Sequence, residues 1–342
     1  MPVRKLFASN TLINLPTIAL VADGLTESSI RHDARVVLLG PIDYRWRLPF
    51  AKVDYLLVES AWLGACERWR YKIAAYPDHP ERNNFALARL VAAAKDRGIP
   101  TVFWNKEDSV HFDRFIDSAK LFDHVFTVDA NAIPRYKAVM GEHASVHTLM
   151  FAIQPRTHGF NGFRFKHRRA NFVGSYSTEN HARRRLWQDA LFQAASHSGL
   201  GLTVVDRNSG RTASHYRFPS LPGLEIQGSL PHDKTADMYR NYLVSLNVNT
   251  VDDSPTMFSR RLVEILGCGG IAVTTPAASV DAMFANYCHV VHGADDAREI
   301  FARLRNGPSA NDLERARAGA DYVASHHTWA HRLQQIASVV FR

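Results

Sequence analysis

DDSPTMFSRRLVEILGCGGIAVTT, residues 252–275, reads as a loop, a short helix and a buried strand, and it holds the parts of an anion-binding device. Ser254 suits the cap of a helix and Pro255 its first position, where a missing N–H costs nothing. Leu262, Val263, Ile265 and Leu266 form an apolar face, and Gly267, Gly269 and Gly270 stop the helix ahead of a strand at 271–274. A helix start presents unpaired amides and roughly +0.5 of an elementary charge, which favours a diphosphate. The amides of Thr256 and Met257, with Arg260 and Arg261, are therefore expected around an anion. Glu264 is out of place beside phosphate and suits ribose hydroxyls; a nucleoside diphosphate offers both groups. The competing reading is an exposed Arg260–Glu264 pair at i,i+4 worth about 0.3–0.5 kcal/mol.

Working outward, 342 residues suffice for two ordinary domains and exceed one comfortable core. Hydrophobic content of 46% with 22% charged residues argues against extensive disorder. With no run of 18 apolar residues, no membrane span is expected. Arg4 and Lys5 precede an apolar stretch, but Asn10, Asn14 and Pro16 interrupt it, so no signal peptide is expected. Cys66, Cys268 and Cys288 lack metal-ligand spacing and read as reduced thiols of a cytoplasmic protein, Cys268 as a small core residue. The net charge of +8 is local: residues 156–218 hold 11 Lys+Arg against 3 acids, leaving 30 against 30 elsewhere. Such a patch suits a nucleotide diphosphate, a polyanion or an acidic lipid surface; no zinc-finger, RNA-recognition or basic-zipper pattern accompanies it, so nucleic acid is not the expected partner.

Short apolar runs alternate with helical stretches in both halves, the pattern of parallel sheets covered by helices. Strands are expected at 17–21, 36–40, 55–58, 101–104, 125–128 and 147–151, then at 170–173, 203–206, 224–227, 244–248, 271–274 and 289–291. A helix over 83–97 is expected to bury Phe85, Leu87, Leu90 and Val91. Residues 152–169 lack periodicity and read as an interdomain crossing, and a last helix, from about Thr328 to Phe341, could pack back on the first domain. This divides the chain into 1–155, 156–325 and a helix at 326–342. Ligands of open α/β sheets bind beyond the carboxyl ends of strands, so two such domains would face each other across a cleft.

The loops after those strands carry the candidate chemistry. Gly174, Ser175 and Tyr176 open a strand-to-helix turn ahead of Arg183, Arg184 and Arg185. Arg207 sits at a strand end, free to fork onto phosphate or to pair with Asp206, and Gly228 and Ser229 lie in a later loop. Met238 and Tyr239 read as packing. In the first half, Glu59, Ser60 and Trp62 suggest an acceptor site with Trp62 as a sugar platform, and Glu107, Asp108 or His111 a general base. The plainer reading makes Lys106, Glu107 and Asp108 solvated loop charges. Walker loop, GxGxxG after the first strand, GxSxG elbow and HExxH are all missing, which sets aside P-loop kinases, ordinary dehydrogenases, α/β-hydrolases and zinc proteases.

VESAW, IPTVFWNKED with HFDRF and FTVD, FVGSYS, DRN, GSLPHDKTADMYRNYLVSLNVN, SRRLVEILGCGG and HHTWAHRLQQI together resemble the glycosyltransferases related to spore maturation protein B (CgeB-like), over roughly residues 53–340. The resemblance implies a GT-B architecture of two Rossmann-like domains, donor nucleotide sugar bound by the second, acceptor by the first, and no required metal or other cofactor. It places Glu264 at the acid that holds donor ribose and Arg260 or Arg261 near the diphosphate. Retaining GT-B enzymes carry a second Glu eight residues earlier, where this chain has Thr256, so inversion and retention stay open. The expected activity is transfer of a sugar, from UDP by base rate, to an acceptor hydroxyl. The rivals are a sugar-nucleotide epimerase and a non-catalytic surface or spore-coat protein.

Overall fold

In the computed structural model, residues 15–342 are described; the leader reading at Arg4, Lys5, Asn10 and Asn14 lies outside the described residues. The chain divides into two compact units. Unit 1 runs to Met150 and regains Trp329–Arg342; unit 2 is Phe151–Thr328. Contact therefore divides the chain at 150/151 and 328/329, where the sequence suggested 155/156 and 325/326.

Unit 1 carries strands β1 (Thr17–Val21), β2 (Arg35–Leu38), β3 (Tyr55–Glu59), β4 (Thr101–Asn105), β5 (His124–Thr127) and β6 (Ser145–Thr148). They form one parallel sheet in the order β2-β1-β3-β4-β5-β6. Unit 2 carries β7 (His167–Gly174), β8 (Leu202–Asp206), β9 (Leu224–Gln227), β10 (Tyr242–Asn247), β11 (Ala272–Thr274) and β12 (His289–Val290). Its sheet, parallel throughout, runs β12-β11-β10-β7-β8-β9, the doubly wound dinucleotide order. Strand order reverses between β1 and β3 in the first sheet and between β7 and β10 in the second, and these switch points open crevices at the strands' carboxyl ends.

The sheets form here because their strands are apolar on both faces. β3, β4, β8 and β10 are buried at every position, as strands covered by helices on two sides must be. The packed layers are one cluster around Leu56, Val58, Phe103 and Phe115 and another around Phe172, Phe192, Val204 and Leu246. All twelve expected strands are present, within a few residues of the expected bounds. Helix Phe85–Lys95 buries Leu87, Leu90 and Val91, but Phe85 is 68% exposed: two residues before Leu87, it lies on the face opposite the apolar stripe.

The expected crossing 152–169 is not a free linker. Ile153 bridges Thr328, Pro155–His158 forms a helical turn, and Ile153 and His158 are buried within unit 2. The final helix, Trp329–Val340, belongs to unit 1: Trp329 meets Trp104 edge-on at 5.4 Å, and Arg332 Nε and Gln335 Nε2 donate to the carbonyls of Met150 (2.8 Å) and Thr148 (2.7 Å). Among the described residues no helix is long and apolar enough to cross a membrane.

Candidate functional site

The stretch that opened the sequence analysis folds differently at its start. Its helix is Arg260–Gly267, with Ser259 and not Ser254 at the N-cap. Ser254 Oγ instead closes a local turn by accepting from the amides of Thr256 (3.3 Å) and Met257 (2.9 Å). Those two amides are therefore already bonded and are not helix-start donors, which corrects the expected phosphate cradle. The helix end is as expected: Gly270 N donates to Ile265 O (2.9 Å) and Gly269 N to Leu266 O (2.8 Å), with Gly269 left-handed at φ +73°. A side chain at Gly269 would also strike the Phe160 ring.

Starting the helix at Arg260 changes what its side chains reach. Arg261 extends into the switch point of the second sheet: Nε donates to Val173 O at the end of β7 (2.6 Å) and Nη1 to Asn247 Oδ1 at the end of β10 (3.4 Å), over the Phe172 ring. Gly174 admits it, since a Cβ there would lie 2.7 Å from Arg261 Nη2. Arg207 follows β8, is exposed, and makes no ion pair with Asp206, whose Oδ1 accepts from Asn208 N (2.7 Å). Arg184 completes the group from helix Ala182–His197. Its Nη2 donates to Ser175 O (3.4 Å), and its Nε is buried without a partner.

Like charges collected here disfavour their own protonation. Burial, then Arg261 and Arg207, bring Arg184 down to about 10. Burial lowers Arg261 too; Arg207 adds to the lowering, while Tyr239 and Glu264 oppose it. Three guanidinium groups with no carboxylate bonded to them among the described residues, at the carboxyl ends of β7, β8 and β10, form a site that an anion would stabilise. Arg184 was not singled out among its neighbours in sequence. Only the fold distinguishes it from Arg183, paired with Asp252 (2.5 Å), and from Arg185, bonded to Thr178 O.

Glu264 lies one turn beyond Arg261 and is 6% exposed, so the exposed Arg260–Glu264 pair does not form; Arg260 sits over Phe151 at 4.8 Å. Glu264 Oε1 is 2.7 Å from His232 Nε2, and Oε2 accepts from Tyr239 OH (3.3 Å). Burial alone would raise this carboxyl; the His232 hydrogen bond and the charges of His158, His232 and Arg260 outweigh it and hold it at about 2. Tyr239 is packing, as expected, and a ligand of the carboxylate as well. Thr235 Oγ1 donates to His232 O (2.7 Å), so it accepts from His158 Nε2 (3.0 Å) and leaves His158 Nδ1 bare in the interior. His158, kept neutral at about 4 chiefly by burial, with His232 and Glu264 brings potential metal-ligand atoms within 4.8 Å of one another.

The remaining donor-side candidates split. Tyr176 packs, its OH bonded to Asp189 (2.8 Å) and pushed up to about 12, first by burial. Gly228 and Ser229 are exposed, with Ser229 N bonded to Ser209 Oγ (3.0 Å). Cys268 is a buried core residue, as expected, and all three cysteines are free.

In unit 1 several candidates turn inward. Glu59 and Ser60 are fully buried. Glu59 accepts from Asp23 N (2.6 Å), Thr26 Oγ1 (2.6 Å) and Lys106 Nζ (3.0 Å), and Ser60 Oγ from Lys106 N (2.9 Å). Neither is available to an acceptor. Asp108 is equally buried, between Asn105 Nδ2 (2.7 Å) and Tyr136 OH (2.8 Å), and burial raises it to about 7 despite those bonds. It is a core acid rather than a base open to substrate, and Lys106, with Asp23 and Glu59 as partners, is no solvated loop charge either. Trp62 is half-buried, edge-on to His111 (5.2 Å), Phe115 (5.1 Å) and Tyr76 (6.3 Å), and so packs more than it presents. Glu107 and His111 stay half-exposed. Sequence reasoning missed Asp23, at the β1 end of the switch point, accepting from Gly64 N (2.9 Å) and Lys106 Nζ (2.8 Å). Its signal was an acid immediately after the first strand.

Two doubly wound parallel sheets of this kind are the GT-B architecture. The chain is similar to an alpha-glucosyltransferase solved with UDP and a 13-mer DNA containing an HMU base (TM-score 0.68, 9% identity, 95% of this chain and 99% of that one). It is also similar to T4 phage BGT solved with UDP and Mn2+ (0.56, 11%, 95% and 99%). A third is the UDP-forming alpha,alpha-trehalose-phosphate synthase of Burkholderia vietnamiensis (0.56, 10%, 95% and 97%). No curated protein matches in sequence. The profile of the glycosyl transferase-like family matches residues 160–338; the chain belongs to that family and is a glycosyltransferase.

Proposed function

We propose that the protein is a CgeB-like enzyme that transfers a hexose from a UDP-sugar, bound by unit 2, to an acceptor hydroxyl, bound by unit 1, without a required metal. The observation that carries this is the convergence of Arg184, Arg207 and Arg261 on the carboxyl ends of β7, β8 and β10, one helical turn from Glu264. As the sugar–phosphate bond breaks, negative charge grows on the diphosphate, and guanidinium groups fixed beforehand stabilise it with little reorganisation. Glu264, ionised and pointed by His232 and Tyr239, keeps lone pairs for the ribose hydroxyls. UDP is favoured as the base because the three structures above were solved with UDP or named for forming it. The acceptor proton goes to Glu107, His111 or Asp23 if the anomeric centre inverts; a retaining reaction needs no protein base. Three free cysteines support a cytoplasmic setting, and nothing in the site favours the epimerase or the surface-protein alternative.

The test is a thermal-shift panel of UDP, GDP, TDP and CMP followed by a UDP-sugar hydrolysis screen. UDP is expected to give the largest shift and at least one UDP-sugar to be hydrolysed slowly. No shift from any nucleotide and no hydrolysis would end the proposal. Glu107→Gln, with UDP binding intact, is expected to lower turnover; an unchanged rate leaves His111 and Asp23.

A further inference from the structure

Unit 1 holds a cavity of about 360 Å³ between residues 73–84 and helix Phe112–Ala119, within the size range of small-molecule sites. Its walls are preformed. Ala75 N donates to Arg114 O (2.6 Å), and Arg114 Nη1 returns a bond to Ala75 O (3.1 Å). Ser118 Oγ donates to Ile73 O (2.6 Å) and accepts from Asn84 Nδ2 (3.1 Å). Ile73, Pro77, Pro80 and the Tyr76 ring line it together with Arg82 and Arg114.

The charge balance of the lining sets what would fit. Arg114 is half-buried and bonded only to a neutral carbonyl, with no carboxylate partner among the described residues. Arg82 lies against the rings of Tyr71 (4.3 Å) and Tyr76 (5.7 Å), and its one acid, Glu81, is 3.5 Å away and largely exposed. Asp117, the cavity's acid, is neutralised by Lys120 (2.9 Å). Arg114, partly withdrawn from water without a matching anion, and Arg82, held only by an exposed acid, together favour an oxyanion brought by a ligand. The prolines and the tyrosine that share the lining suit the C–H face of a sugar ring. Position adds to this: Tyr76 touches Trp62, and Trp62 touches His111, so the cavity adjoins the half-exposed groups at the ends of β3 and β4.

We propose that this cavity is the acceptor subsite and that the acceptor is a small acidic carbohydrate whose phosphate or carboxylate is held by Arg114 and Arg82. This rests on the glycosyltransferase reading for its role in turnover, but not for binding. The experiment titrates the full-length protein with glucose 6-phosphate, glucuronate, glucose and inorganic phosphate, and in parallel with UDP. At least one acidic sugar is expected to bind about 10-fold or more tightly than glucose, the two acids distinguishing phosphate from carboxylate. Arg114→Gln is expected to erase that preference, since a charge-assisted hydrogen bond is worth about 1.5–3 kcal/mol, while UDP binding stays unchanged. Should Arg114→Gln fail to fold, Arg82→Gln and Asn84→Asp carry the same test, the second by adding a repelling charge. Glucose binding as well as both acids, inorganic phosphate binding as tightly as glucose 6-phosphate, or full affinity in folded variants would overturn the proposal. Loss of the UDP response alone would overturn the donor reading and leave the cavity result to be read independently.

Discussion

Replacing Glu264 by glutamine keeps its shape and removes its charge, and two numbers follow. The carboxyl is held at about 2 against an ordinary 4.5. At 1.36 kcal/mol per unit that is a stabilisation of about 3 kcal/mol. A depressed acid gives its full contribution above pH 4.5 and loses it as pH falls toward 2. Wild type should therefore weaken in urea between pH 5.5 and 3 by about 2 kcal/mol more than Glu264→Gln, which has no such group to titrate. The functional number concerns UDP. At 100 times its dissociation constant a ligand stabilises by about 2.7 kcal/mol, roughly 5–10 °C of melting temperature for a unit of this size. Losing a charged acceptor for the ribose hydroxyls costs about 1.5–3 kcal/mol, so the same UDP concentration should shift the variant by only roughly 1–5 °C. Scanning calorimetry with and without UDP reads both proteins. A folded Glu264→Gln with the full wild-type shift would refute the ribose assignment.

Two further outcomes follow from the charges. Arg184→Met removes a half-buried guanidinium with a buried, unpartnered Nε and two like-charged neighbours. The ligand-free protein should be as stable or slightly more so, while UDP binding weakens about 10-fold by calorimetric titration; the reverse pattern would make Arg184 a structural residue. Asp108 is raised from 3.8 to about 7, so its protonated form is the one the fold prefers. Its contribution is full below about pH 4 and is lost as pH rises to 7, so Asp108→Asn should flatten that decline in urea unfolding and leave turnover near wild type. Turnover falling by orders of magnitude would return Asp108 to the catalytic list.

The sequence by itself determined the layers. Runs such as YLLVE at 55–59 and LTVVD at 202–206 are apolar at consecutive positions. Short runs of this kind, bounded by turn residues, are what strands covered on both faces carry, and their alternation with helical stretches made two series of strands legible. It also picked out Arg261 and Glu264 as candidates, because a glycine-ended helix with basic and acidic residues on one turn is a local pattern, and Gly174 by its place at a strand-to-helix turn. Tertiary structure decided the rest, because burial and charge pairing join residues far apart in the chain. Nothing local separates Arg184 from Arg183 and Arg185; what does is the meeting of β7, β8 and β10, which surrounds one with arginines and gives another an aspartate. The acids of unit 1 sorted in the same way. Glu59 and Asp108 look open to solvent in a strand-end loop, yet Lys106, Thr26, Asn105 and Tyr136 close over them. A carboxylate's role is set by its neighbours in space, which spacing along one strand does not specify.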